Sequence, residues 1–157
     1  MTLYLEDFHP GDVGETPPRQ ISREEIVEFA RQFDPQPFHL DEEAARRSPY
    51  GGLIASGWHT AALCMRMVVD HAFGSGTGSL GDGITGSLGS PGVDELRWLW
   101  PVRPADTLTV RIEVLEARPS RSKPDRGLIK LRYTMRNQSG QDVMTMIGLG
   151  LMLRRPA

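Results

Sequence analysis

Ser56-Gly57-Trp58-His59-Thr60-Ala61-Ala62-Leu63-Cys64-Met65-Arg66-Met67-Val68-Val69-Asp70-His71-Ala72-Phe73 is the stretch that decides the fold. It is apolar on almost every side, and only a narrow polar line runs through His59, Arg66 and Asp70. A helix with that pattern is one that the rest of the protein surrounds. The segments after it supply the surround. Leu96, Trp98 and Trp100 recur with period two, and so do Leu108, Val110, Ile112 and Val114, which alternate with Thr107, Thr109, Arg111 and Glu113. Ile129, Leu131, Tyr133 and Met135 repeat the pattern, which is that of β-strands. Asn137-Gln138-Ser139-Gly140 has hairpin-turn composition, and Val143 to Leu153 is apolar on both faces, as a strand inside a sheet should be. One buried helix followed by a run of antiparallel strands predicts an α+β layout, a long central helix wrapped by a curved antiparallel sheet.

Upstream, Ser22-Arg23-Glu24-Glu25 has the capping-box form, and Ile26, Phe29, Ala30 and Phe33 follow at helical spacing. The spacing predicts a helix over Ser22 to Phe33, stopped by Pro35, because the residue before a proline is pushed out of the α region. Asp34 then opens a proline-stiffened loop, Asp34-Pro35-Gln36-Pro37-Phe38-His39, and a second short helix is expected to start at Asp41 and contain Ala44 and Ala45. Between Gly74 and Gly92 a glycine-rich stretch reads as a long loop.

With 157 residues and no internal repeat, the chain is expected to be a single domain over 1–157. A net charge of -2 gives no global attraction to nucleic acid, and no apolar run approaches membrane-spanning length. The start lacks both a basic and an apolar leader region, so a cytoplasmic protein is expected. Cys64 is the sole cysteine and stands among apolar residues, which removes intrachain disulfides and cysteine-based metal clusters. His9, His59 and His71 lack metal-ligand spacing, so no metal is expected. Gly81-Asp82-Gly83-Ile84-Thr85-Gly86 matches a dinucleotide fingerprint in letters only, since no strand signal precedes it and no helical period follows.

Asp34-Pro35-Gln36-Pro37-Phe38-His39-Leu40-Asp41 resembles the D-x-N-P-x-H-x-D motif of the MaoC-like and R-specific enoyl-CoA hydratase family. Ile54-Ala55-Ser56-Gly57 falls where that family opens its central helix, and Pro101-Val102-Arg103-Pro104-Ala105-Asp106-Thr107-Leu108 resembles its P-V-x-x-G-D-x-L junction. The likeness runs roughly from Arg19 to Leu153, with Gln36 in place of Asn, Ser56 in place of His and Ala105 in place of Gly. It implies a hot-dog fold and a hydro-lyase acting in fatty acid metabolism, which adds water reversibly to a trans-2-enoyl thioester to give the (R)-3-hydroxyacyl thioester. No cofactor is implied. An acyl-CoA substrate and a homodimer or higher homo-oligomer are.

The chemistry needs a group to take a proton from water, another to orient or return it, and a donor for the enolate oxygen. Asp34 and His39 suit the first two roles; the likeness implies that both hold one water, which attacks C3 while a proton reaches C2. For the third we expect the Gly57 N–H, since amides in the first turn of a helix lack intrahelical partners and lie at the positive end of the helix dipole. Ser56, a helix cap by composition, and Trp58 are expected beside the substrate. Arg121 and Lys123, in the basic loop Arg118 to Gly127, are placed against the coenzyme A phosphates. Two other readings stay open: an acyl-CoA thioesterase, and a non-catalytic acyl-thioester-binding subunit on the same fold.

Overall fold

A computed structural model of the chain describes residues 3–73 and 86–156, the side chains of 72 and 73 excepted. Most of the glycine-rich stretch, and the Gly81–Gly86 match except for Gly86 itself, lie outside the described residues.

Strand β1 (Val13–Glu15) and β2 (Arg19–Gln20) lead into helix α1 (Arg23–Phe33), the short α2 (Pro37–Leu40) and α3 (Glu42–Arg47), and then the 17-residue α4 (Gly57–Phe73). Four strands complete the chain: β3 (Gly92–Trp98), β4 (Thr107–Pro119), β5 (Arg126–Arg136) and β6 (Asp142–Leu153). The sheet is antiparallel in the order β1-β4-β5-β6-β3, with β2 pairing the start of β4. As its two-faced apolar pattern requires, β6 lies between neighbours on both sides. The turn into it is the expected one: Asn137 Oδ1 accepts the amides of Ser139 and Gln141, and Gly140 takes φ +74°. This is the hot-dog arrangement, α4 laid against the sheet with Leu63, Cys64, Met67 and Val68 meeting Leu108, Val110, Tyr133 and Met135 in one core.

The capping box forms as expected, with Ser22 Oγ accepting the Glu25 amide at 3.1 Å and the Glu25 carboxylate accepting the Ser22 amide at 2.8 Å. Three expectations need correcting. Residues 37–40 form a helical turn rather than a plain loop; Pro37 is its first residue, where a missing N–H has no helical partner to lose. Strand β3 ends at Trp98, after which the amides of Leu99 and Trp100 both turn to the Val143 carbonyl and leave the ladder. Finally, the described residues cover α4 on one side only: Trp58, Ala62, Met65 and Val69 form an exposed stripe at helical spacing. Ala105, where the resembling motif has glycine, takes φ +67°, the left-handed region that glycine occupies without cost.

Candidate active site

The dyad is built from two local stops. Asp34 is the C-cap of α1; its amide still bonds the Ala30 carbonyl at 2.9 Å, while Pro35 ends the helix and frees the side chain to point away from it. His39 stands on α2, whose start is fixed by Pro37, and is 4 % exposed. Its Nδ1 lies 2.8 Å from the Ile54 carbonyl. A carbonyl only accepts, so Nδ1 carries the hydrogen, and Nε2 is the nitrogen turned outward, bare whenever the ring is neutral. That nitrogen lies 3.3 Å from Asp34 Oδ2. In the neutral ring both atoms are acceptors, so a species that donates a hydrogen to each fits the pair.

The Asp34 carboxylate is held by two further donors: Ser56 Oγ donates to Oδ2 at 2.7 Å and Gln36 Nε2 to Oδ1 at 2.8 Å. Partial burial pushes its pKa up, but the hydrogen bonds from Ser56 and Gln36, together with the charge and hydrogen bond that His39 offers when protonated, outweigh that, and the net shift is downward. Asp34 is therefore an anion at neutral pH. Gln36 performs for this carboxylate what a side-chain amide in that position can, one methylene longer than asparagine.

Ser56 is wholly buried, at 0 % exposure, and does not line the cleft. The contacts the structure gives it are to the dyad and to the helix. Its hydroxyl donates to Asp34 and accepts the Trp58 amide at 3.2 Å, so it ties the start of α4 to the dyad. The Gly57 amide has no acceptor among the described residues, and the Cα packs under the Trp98 indole so closely that a Cβ would come within 2.5 Å of the ring. Trp58, 60 % exposed, meets the same indole edge-on at 5.1 Å between centroids.

These groups border a cleft of about 460 Å³, with Asp34, His39 and Gly57 at its polar end and Trp58, Trp98 and Trp100 among its walls. A larger groove of about 540 Å³ lies along Met65, Val68 and Val69 and the facing strands, but it contains no acid–imidazole pair. Arg121 and Lys123 are not brought to the dyad. They line a separate 290 Å³ pocket at the tip of the β4–β5 hairpin, together with Leu151 of β6. Trp98 pairs with Met144 at the cleft end of β6, so seven residues of strand, about 23 Å, separate the two places. Among the described residues no group of three or more His, Cys, Asp or Glu is placed to hold a metal, and no helix is long and apolar enough to cross a membrane. Burial pushes the Cys64 thiol up to about 12, which leaves it no thiolate at neutral pH.

A model of the MaoC-like domain matches residues 7–131. The chain belongs to the MaoC-like family. It is 32% identical over 122 residues to the 3-hydroxybutyryl-CoA dehydratase of Methylorubrum extorquens, covering 77% of this chain and 69% of that protein. It is 31% identical over 136 residues to the uncharacterized protein YdeM of Bacillus subtilis, covering 87% and 89% respectively. The solved MaoC-like dehydratase of Rhodospirillum rubrum is 41% identical and superposes with a TM-score of 0.85, with 99% of each chain covered. Membership in this dehydratase family supports a hydro-lyase in the broad sense.

The sequence pointed to Asp34, His39, Gly57 and Trp58, and all four border one cleft. It did not point to Trp98, Leu99 or Pro101 as walls, because Trp98 reads as an ordinary strand residue until the strand is seen to end there.

Proposed function

We propose that this MaoC-like protein hydrates trans-2-enoyl thioesters reversibly, giving (R)-3-hydroxyacyl thioesters, with coenzyme A as carrier. The observation that carries the reading is the bare Nε2 of His39 facing an ionised Asp34 across 3.3 Å at the polar end of an otherwise mainly apolar cleft. One water donating a hydrogen to each acceptor has its lone pairs turned toward the cleft. Its oxygen forms the bond to C3 as the C2=C3 π pair moves toward the carbonyl, one proton passes to the dyad, and that proton is returned to C2. The negative charge that gathers on the thioester oxygen meets the Gly57 amide, unpartnered among the described residues, at the N-terminus of α4. The R configuration and the carrier follow from the family likeness, and the relative named as a 3-hydroxybutyryl-CoA dehydratase supports a 3-hydroxyacyl product.

Thioester hydrolysis finds no serine or cysteine nucleophile in the cleft among the described residues, since Ser56 and Cys64 are both buried away from it. Release of free thiol instead of loss of the conjugated enoyl absorbance would favour it. A binding subunit without turnover would bind enoyl-CoA and leave its absorbance unchanged. Trans-2-enoyl-CoAs of several lengths, followed in the ultraviolet with chiral analysis of the product, separate all three.

The homodimer belongs to the same reading. Among the described residues strand β3 is an open edge bearing exposed Val93 and Trp98, and the exposed stripe of α4 from Trp58 to Val69 is apolar. A second copy covers both. A monomer by light scattering at working concentrations would defeat this.

A further inference from the structure

We propose that Arg103 is the cation that receives the phosphate at the end of the pantetheine arm, and so selects phosphopantetheine-borne thioesters at the mouth of the dyad cleft. The inference rests on the thioester reading above. Among the described residues the cleft walls hold one carboxylate, Asp34, and no lysine or arginine, so nothing in them attracts an anionic carrier. Arg103 adjoins it. The preceding residue, Val102, is a cleft wall, and its carbonyl accepts the Ala55 amide at 2.8 Å, one residue from the carbonyl that orients His39.

The guanidinium is directed by three contacts. The Arg103 amide donates to Asp106 Oδ2 at 2.8 Å, which fixes the backbone; Nη2 donates to the Tyr50 carbonyl at 2.6 Å; and Nη1 lies over Gly52, 3.3 Å from where a Cβ would stand. Tyr50 is itself a wall of the cleft, so the charge sits at its rim. What singles Arg103 out is its missing counter-ion. Arg19, Arg111, Arg126 and Lys130 are also half-buried, and each pairs with a carboxylate. Arg103 is the one half-buried arginine or lysine among the described residues that does not. A partly desolvated guanidinium bound only to a neutral carbonyl keeps several N–H donors for an oxyanion, and its planar fork matches phosphate geometry.

The phosphate is common to coenzyme A and to acyl carrier protein, and the test separates it from the rest of either carrier. Calorimetry on the wild-type protein compares free 4′-phosphopantetheine with pantetheine, a readout that needs no turnover. The phosphate is expected to tighten binding about ten-fold, an advantage that fades with added salt. Equal binding of the two would overturn the proposal even if hydration is observed, whereas a phosphate preference without hydration would sink only the functional reading. Kinetics then compare enoyl-phosphopantetheine with enoyl-pantetheine on wild type, Arg103→Gln and Arg103→Lys, each checked for folding by thermal melt. The kcat/KM ratio between the two substrates should collapse toward one in Arg103→Gln and be partly kept in Arg103→Lys. A ratio unchanged in Arg103→Gln means that the side chain merely braces Tyr50. Enoyl-CoA and enoyl-acyl carrier protein complete the series: the carrier that loses more in Arg103→Gln is the one this residue serves.

Discussion

Removing the Ser56 hydroxyl tests whether the start of α4 controls the dyad. Ser56→Ala deletes a donor to Asp34 Oδ2 at 2.7 Å and an acceptor for the Trp58 amide at 3.2 Å, at a position with 0 % exposure where a methyl fits and water does not. A hydrogen bond to a charged group contributes about 1.5–3 kcal/mol and a helix cap about 1 kcal/mol. Asp34 is 19 % exposed and keeps its bond from Gln36, so water and the amide offset part of the first loss. The net destabilisation comes to about 2 kcal/mol, a fall in Tm of about 6 °C for a domain of this size. The hydroxyl also matters to the charge. Burial raises the Asp34 pKa, and the Ser56 hydrogen bond is the foremost of the contacts that bring it down. Because the folded pKa is depressed, the ionised state and the stability it contributes are present above the unfolded value and lost as pH falls through the folded one. Without Ser56 that loss begins at higher pH. The acid limb of the kcat/KM profile should therefore move upward, with kcat at neutral pH reduced about ten-fold. A lowered Tm with a pH profile superimposable on that of wild type would refute the argument and leave Ser56 a helix cap only.

Other consequences are as direct. Ala105→Gly relieves a left-handed residue, worth about 1–2 kcal/mol, against about 0.4–1 kcal/mol of added unfolded-state freedom, so the melting temperature should rise by one or two degrees, about 0.5 kcal/mol; a fall contradicts the strain at φ +67°. Gly57→Ala puts a methyl within 2.5 Å of the Trp98 indole, and displacing that wall should lower kcat/KM by ~10-fold or more through the roughly 1–3 kcal/mol of overpacking; unaltered kinetics would show that the indole moves freely. Arg121→Ala with Lys123→Ala should leave the KM for enoyl-CoA within about two-fold, since their pocket is about 23 Å of strand from the cleft; a ten-fold rise would mean that the carrier reaches this hairpin tip, as across a subunit boundary.

What the sequence disclosed and what it hid divide along physical lines. Local rules were legible: the capping box at Ser22, the stop at Pro35, the turn at Asn137 to Gly140 and the two-faced β6 each depend on residues close in the chain. The dyad was legible because its two members are five positions apart on a proline-stiffened segment that resembles a family motif. The turn Pro37–Leu40 was not, being too short to show a period, and β1 and β2 are too short to alternate. The link from Ser56 to Asp34 joins residues 22 apart, and nothing in either segment announces it. The apolar periodicity of α4 said that its faces avoid water without saying which of them this chain covers by itself. Arg103 looked like one arginine among many until its lack of a carboxylate could be seen.

The central claim is that Asp34 and His39 jointly activate a water toward an enoyl thioester. Its most direct measurement is the ultraviolet loss of trans-2-enoyl-CoA absorbance by wild type, Asp34→Asn and His39→Gln, each verified as folded. The account predicts hydration to the (R)-3-hydroxyacyl product by wild type and losses of about 10²–10⁴ in kcat in each variant. Hydration that persists within a few-fold in either variant, or a wild type that binds the panel and leaves it unchanged, would contradict it.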